Sequence, residues 1–122
     1  MKPFAAAAVD MRPLARLLKA LADDTRLRIV ALLSHGELCV CHIEQALGLK
    51  QANVSRQFAV LRAANVVTAR RAGTWTYYQL APQLDDDCKR LLRTLVASFA
   101  KRQQLQKDVE KLLRVRGPNS CK

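Results

Sequence analysis

Two cysteines one residue apart, in the stretch Glu37-Leu38-Cys39-Val40-Cys41-His42, are the side chains of this chain with the most distinctive chemistry. Thiolates are soft donors, so a pair at that spacing suits thiophilic ions rather than hard, oxygen-seeking ones. Two further thiols, Cys88 and Cys121, stand later in the sequence. Beyond the pair come a turn, Gly48-Leu49-Lys50, and a polar run in which Gln51, Asn53, Ser55, Arg56 and Gln57 carry groups that can read base edges. An ion taken up by the thiols would act beside a DNA-reading segment. That juxtaposition leads us to expect a metal- or metalloid-controlled DNA-binding protein.

The composition sets the surroundings for that chemistry. Among 122 residues, 21 Lys and Arg face 10 Asp and Glu, a formal net charge of +11. Such an excess is the footprint of a protein that meets a polyanion, duplex DNA first among them, with a generically basic domain as the bland alternative. Length and a half-apolar composition suit one small domain, expected to pair with a second copy. The apolar run at residues 4–9 is short and followed by Asp10 and Arg12, which does not suit an export signal. No stretch approaches the roughly 18–20 apolar residues of a spanning helix, so no membrane role and a cytoplasmic location are expected. In that reducing compartment, cysteines serve as thiols for metal or redox chemistry rather than as a disulfide framework. No catalytic triad, phosphate-cradling glycine loop, paired catalytic carboxylates or Cys-x-x-Cys motif stands out, and an enzyme is not expected.

The periodicities predict the elements that carry these residues. Leu14, Leu17, Leu18 and Leu21 share one face of a helix over 13–22, and Asp23-Asp24-Thr25 opens a second that ends at Ser34-His35-Gly36. A short third helix is expected from Leu38 or Cys39 to Leu47, capped by Gly48, and a fourth from Gln51 or Ala52. Short helix, turn and polar helix form a helix-turn-helix. The segments 66–70 and 74–80 then read as a hairpin wing with Arg70 and Arg71 at its tip, ended by Pro82. One long helix is expected over 84–115, too long for so small a core, its stripe pairing with the same helix and the first helix of a second subunit. The predicted organisation is a flexible arm at 1–12, a winged helix-turn-helix domain at 13–115 that is mainly α with one β-hairpin, and a mobile tail at 116–122.

On that plan Gln51, Asn53, Ser55, Arg56 and Gln57 enter the major groove, and Arg70 and Arg71 reach phosphate or the minor groove. In an ideal helix, residues two apart point about 200° from each other. Cys39 and Cys41 would therefore share one ion only by distorting the start of the third helix, which supplies a switch.

Leu21-Ala22-Asp23-Asp24-Thr25-Arg26-Leu27-Arg28-Ile29, Glu37-Leu38-Cys39-Val40-Cys41, Val54-Ser55-Arg56-Gln57 with Leu61-Arg62, and Gly73-Thr74-Trp75-Thr76-Tyr77-Tyr78-Gln79-Leu80 resemble the ArsR/SmtB metalloregulatory repressors. The resemblance runs over roughly residues 14–82. It implies a homodimeric repressor of a metalloid resistance operon that holds double-stranded operator DNA without metal and releases it when the ion binds. Cys-Val-Cys in this helix marks, in the family, sensing of As(III) and Sb(III), commonly with a third Cys three residues later; here that residue is Glu44. The third ligand is then Cys121, Cys88 or an exogenous thiol or hydroxide. A Cd(II)-, Pb(II)- or Zn(II)-responsive repressor is the alternative, with His42 as a candidate ligand. The N-terminal cysteines of some such sensors are absent, and Asp85, Asp86 and Asp87 lack the histidines of the family's other site. A thiol-based redox sensor and a ligand-free architectural DNA-binding protein are the readings from other classes.

Overall fold

The computed structural model describes residues 10–80 and 84–115. The arm up to residue 9, the strand break at Pro82 and the tail with Cys121 lie outside the described residues. The elements run α1 (Arg12–Leu21), α2 (Asp24–Leu33), β1 (Leu38–Cys39), α3 (Val40–Leu47), α4 (Gln51–Ala63), β2 (Val67–Ala72), β3 (Trp75–Leu80), α5 (Asp86–Ser98), a single 3-10 turn (Phe99–Lys101) and α6 (Gln103–Val115).

Local sequence explains most boundaries. The Asp23 carboxylate accepts from the Arg26 backbone N–H at 3.0 Å and caps α2, as Asp85 caps α5 by accepting from the Cys88 N–H at 2.8 Å. Ile29, Val30, Ala31, Leu32 and Leu33 are consecutive and all buried. A helix apolar on every side belongs in the middle of a core, and α2 packs against α3, α4, α6 and β3. The helix-turn-helix is framed by two backbone closures of one kind. Gly48 takes a left-handed φ of +66°, letting the Leu49 N–H donate to the Glu44 carbonyl at 3.1 Å; Asn65 does the same at +60°, with the Val66 N–H on the Leu61 carbonyl at 2.9 Å. Glycine and asparagine are the residues that tolerate that conformation, and each closure turns an apolar residue, Leu49 or Val66, back onto the core.

The strands form one antiparallel sheet in the order β1-β3-β2. A two-residue turn, Gly73-Thr74, joins β2 to β3, with Ala72 opposite Trp75 and Val67 opposite Leu80. The third strand, β1, was not anticipated: Leu38 and Cys39 pair with Tyr78 and Tyr77. As a consequence α3 begins at Val40, not at Leu38 or Cys39.

The expected single helix over 84–115 is also corrected. It breaks after Ser98, and Arg102 has extended backbone, so α6 folds back against α2 and α3. No proline or glycine causes this. A straight continuation would leave Leu105, Val109 and Leu112 in water, whereas the return buries Leu105 and Leu112, about 1.5–3 kcal/mol each. An ion pair fixes the return: Arg28 Nε and Nη2 donate to Asp108 Oδ2 and Oδ1 at 2.8 and 2.9 Å, and Gln104 Nε2 donates to Oδ1 at 3.0 Å. The distal half of the expected dimerisation helix is thus spent within its own chain. What stays exposed is Met11 (74%), Leu14 (39%) and Leu18 (50%) at α1, with Leu91 (39%) on the adjoining α5.

Candidate DNA-reading face and thiol site

Helix α4 turns Val54, Phe58 and Leu61 into the core. Phe58 stacks on Tyr78 of β3, ring centroids 3.8 Å apart at 15°, so the helix is keyed to the sheet that forms the wing. The five expected readers all lie on α4 but fall into two groups. Gln51, Ser55 and Arg56 are exposed. Asn53 and Gln57 are half-buried and linked: Gln57 Nε2 donates to Asn53 Oδ1 at 3.0 Å, while Gln57 Oε1 accepts from Arg26 Nη1 at 2.9 Å.

The wing departs from expectation. Its tip is Gly73-Thr74, and Arg70 and Arg71 sit within β2 opposite Tyr77 and Thr76. Neighbouring strand residues project to opposite faces, so these two arginines do not act as a pair. Arg70 is also engaged: Nε and Nη2 donate to both Glu37 carboxylate oxygens at 3.1 and 2.7 Å, and its guanidinium lies 4.8 Å from the centre of the Tyr77 ring. Arg70 in turn holds the Glu37 carboxyl below its usual range. Arg71 remains exposed. Glu37→Gln is expected to release Arg70 toward phosphate, so the log–log salt dependence of duplex-DNA binding should steepen by about 0.9. Titrations at several salt concentrations check this, and an unchanged slope would mean Arg70 stays off the DNA in either state.

The thiol pair occupies the junction between sheet and helix. Cys39 is buried, with extended backbone (φ −72°, ψ 144°), as the last residue of β1 and the N-cap of α3; half-buried Cys41 follows in the first turn. Because Cys39 precedes the helix, the 200° separation of an ideal helix does not apply, and the distortion expected of an ion-sharing pair is already present as the strand-to-helix bend. Cys88 lies buried in the first turn of α5, a helix that packs on α1. Burial pushes its thiol pKa up, and Asp85 and Asp87 add to the shift. Among the described residues no three His, Cys, Asp or Glu side chains are grouped to hold an ion, so Cys39, Cys41 and Cys88 form no ready trio. Cys121 lies outside the described residues.

Sequence reasoning missed Arg26, Glu37 and the packing of α6 on α3. Arg26 carried no signal because its neighbours are 31 residues away in one direction and at the end of the preceding helix in the other. Glu37 and Arg70 are 33 residues apart and meet only through the register of β1 with β3.

A short helix and a reading helix, followed by a two-stranded wing on a helical core, define a winged helix-turn-helix, a fold class that reads duplex DNA. Residues 23–69 match the family described as bacterial regulatory protein, arsR family. The chain is 44% identical over 79 residues to the arsenic resistance transcriptional regulator ArsR1 of Pseudomonas putida KT2440, covering 64% of this chain and 62% of that one. It is 47% identical over 70 residues to the arsenical resistance operon repressor of Escherichia coli K12, covering 57% and 60%. Its fold is similar to the solution structure of the homodimeric winged helix-turn-helix DNA-binding domain of Mb0332 from Mycobacterium bovis, a possible ArsR-family regulator, with TM-score 0.62, 31% identity, and 80% and 93% coverage. The chain belongs to the ArsR family of bacterial regulatory proteins. It spans about three fifths of the length of the two arsenic-resistance relatives. No helix among the described residues is long and apolar enough to cross a membrane.

Proposed function

We propose that this protein is a homodimeric repressor that holds its operator in the metalloid-free state and releases it when Cys39 and Cys41 take up As(III) or Sb(III). The observation that carries the reading is the place of Cys39. Its backbone pairs with Tyr77 of the wing strand while it caps the helix that abuts the reading helix. A soft trivalent ion suits thiolate donors, and any shift of Cys39 toward a shared ligand pulls on the wing strand and α3 together. The arsenic-resistance names of the two bacterial relatives support that choice of inducer.

For the third donor we favour Cys121. Helix α6 packs on α3 and ends at Val115, and six extended residues beyond it span at most roughly 20 Å. Cys88 suits the role less, since it sits on α5 in contact with α1 and in no group with the pair. The exposed apolar residues of α1 and α5 provide the surface for a second copy, which sets two reading helices at operator half-site spacing. Gln51, Ser55 and Arg56 contact the DNA directly, Asn53 and Gln57 read from within their network, and Arg71 contacts phosphate.

The test is fluorescence anisotropy of a DNA complex under reducing conditions, titrated with As(III), Cd(II) and Zn(II). Release of the parent by As(III), lost in Cys39→Ser and in Cys121→Ser but kept in Cys88→Ser, is the expected result. The serine variants should bind DNA within about threefold of the parent, since Ser retains the cap's shape. Release by Cd(II) or Zn(II) alone would replace the inducer, release only by a thiol oxidant would make this a redox sensor, and release by none would leave ligand-free DNA binding.

A further inference from the structure

Arg26 lies at the corner between α1 and α2 and spends its guanidinium in two directions. Nε donates to the Ala20 carbonyl at 2.6 Å and Nη2 to the Lys19 carbonyl at 3.4 Å, both at the C-terminal end of α1. Nη1 donates to Gln57 Oε1 at 2.9 Å on the reading helix. A guanidinium can only donate, so the oxygen end of the Gln57 amide must face it and the nitrogen end must face away. That nitrogen donates to Asn53 Oδ1 at 3.0 Å, so the Asn53 amide is oriented in turn, with its oxygen committed to Gln57 and Nδ2 left over. The chain Arg26–Gln57–Asn53 therefore runs donor to acceptor in one sense only.

We propose that Arg26 is a positioning residue for sequence recognition, one that sets the polarity of the Gln57 and Asn53 amides so that both offer hydrogen-bond donors to the major groove. The inference rests on the reading of α4 as the DNA-reading helix and deepens it to the class of base edge. Donors match edges that present acceptors, the N7 and O6 of guanine and the O4 of thymine. Bidentate reading of adenine needs an amide oxygen to accept from N6 together with a nitrogen to donate to N7. Both amide oxygens are already committed, so the arrangement disfavours adenine opposite these two residues. Because Arg26 also holds the end of α1, a movement of that helix is passed to the reading amides without any change in α4 itself.

The experiment is selection of binding sites from a randomised duplex library by the parent, Arg26→Met, Arg26→Lys and Gln57→Glu, with thermal melting of each. The parent should select guanine or thymine opposite Asn53 and Gln57. Arg26→Met should admit adenine there, with discrimination falling about fivefold or more, while the rest of the half-site is kept. Arg26→Lys, which still donates to Gln57, should retain the parent preference. If Arg26→Met does not fold, Gln57→Glu answers the same question, since a carboxylate keeps the contact to Arg26 but has no hydrogen for Asn53; adenine should then enter at the Asn53 position alone. A purely structural arginine would lower melting temperature and affinity for all sites equally and leave the selected sequence unchanged, which would overturn the proposal. A parent that selects no sequence would overturn the underlying assignment of α4 as well, an outcome distinct from an unchanged preference in the variants.

Discussion

Phe58→Ala is expected to lower the stability of the domain by about 3–5 kcal/mol, the range for removing a fully buried aromatic ring. At this chain length that corresponds to a fall in melting temperature of roughly 10–20 °C. The ring is buried in the core and stacks on Tyr78, so its loss opens a cavity and also frees the reading helix from β3. DNA binding should weaken beyond what the unfolded fraction explains, because α4 and the wing no longer move as one body. Phe58→Leu refills much of the space and should fall between the two. Circular dichroism melts at one protein concentration, with anisotropy at a temperature where both variants are folded, measure the two effects separately. A drop under about 1 kcal/mol would mean that the site collapses around the missing ring and that the stacked pair does not hold the helix.

The second large effect concerns the return of the C-terminal helix. Asp108 is 3% exposed and receives three hydrogen bonds, two of them from Arg28, whose side chain is 26% exposed. Removing one partner of a buried pair strands the other, at about 3–5 kcal/mol when both are fully buried. Water reaches Arg28 here, so Asp108→Ala is expected to cost about 2–3 kcal/mol. The double variant Arg28→Met/Asp108→Leu should recover most of it, since apolar side chains of similar size need no partner. Hydrogen exchange should show α6 opening in Asp108→Ala while α2 stays protected. Equal exchange in parent and variant would mean that Leu105 and Leu112 alone hold the helix down.

Both predictions concern contacts that join segments far apart in the chain, and these are the contacts that the residue pattern did not reveal. Asp23 as a helix cap, Gly48 at the end of the short helix, the start of α4 at Gln51 and the turn at Gly73 were legible because each depends on the preferences of a few adjacent residues. The apolar stripe of residues 84–115 was legible too, yet its period of 3.6 is the same for a straight helix and for one that breaks and folds back. The choice fell to Asp108, which reads as an ordinary surface carboxylate until Arg28, 80 residues earlier, is placed opposite it.

The candidate site divides along the same line. That two thiols precede a basic, amide-rich helix is a property of residue order, and the chemistry of soft donors and base-edge readers follows from residue type alone. Whether those groups are available is a tertiary matter. Cys39 became a strand residue because Tyr77 and Tyr78 supply its hydrogen-bonding edge, Arg70 was drawn to Glu37 by the same pairing, and Gln57 was turned by Arg26. Sequence periodicity specifies which face a side chain occupies, since it depends only on the local turn of the backbone. It carries no record of which partner meets that face, because the partner is brought there by burial of the core as a whole.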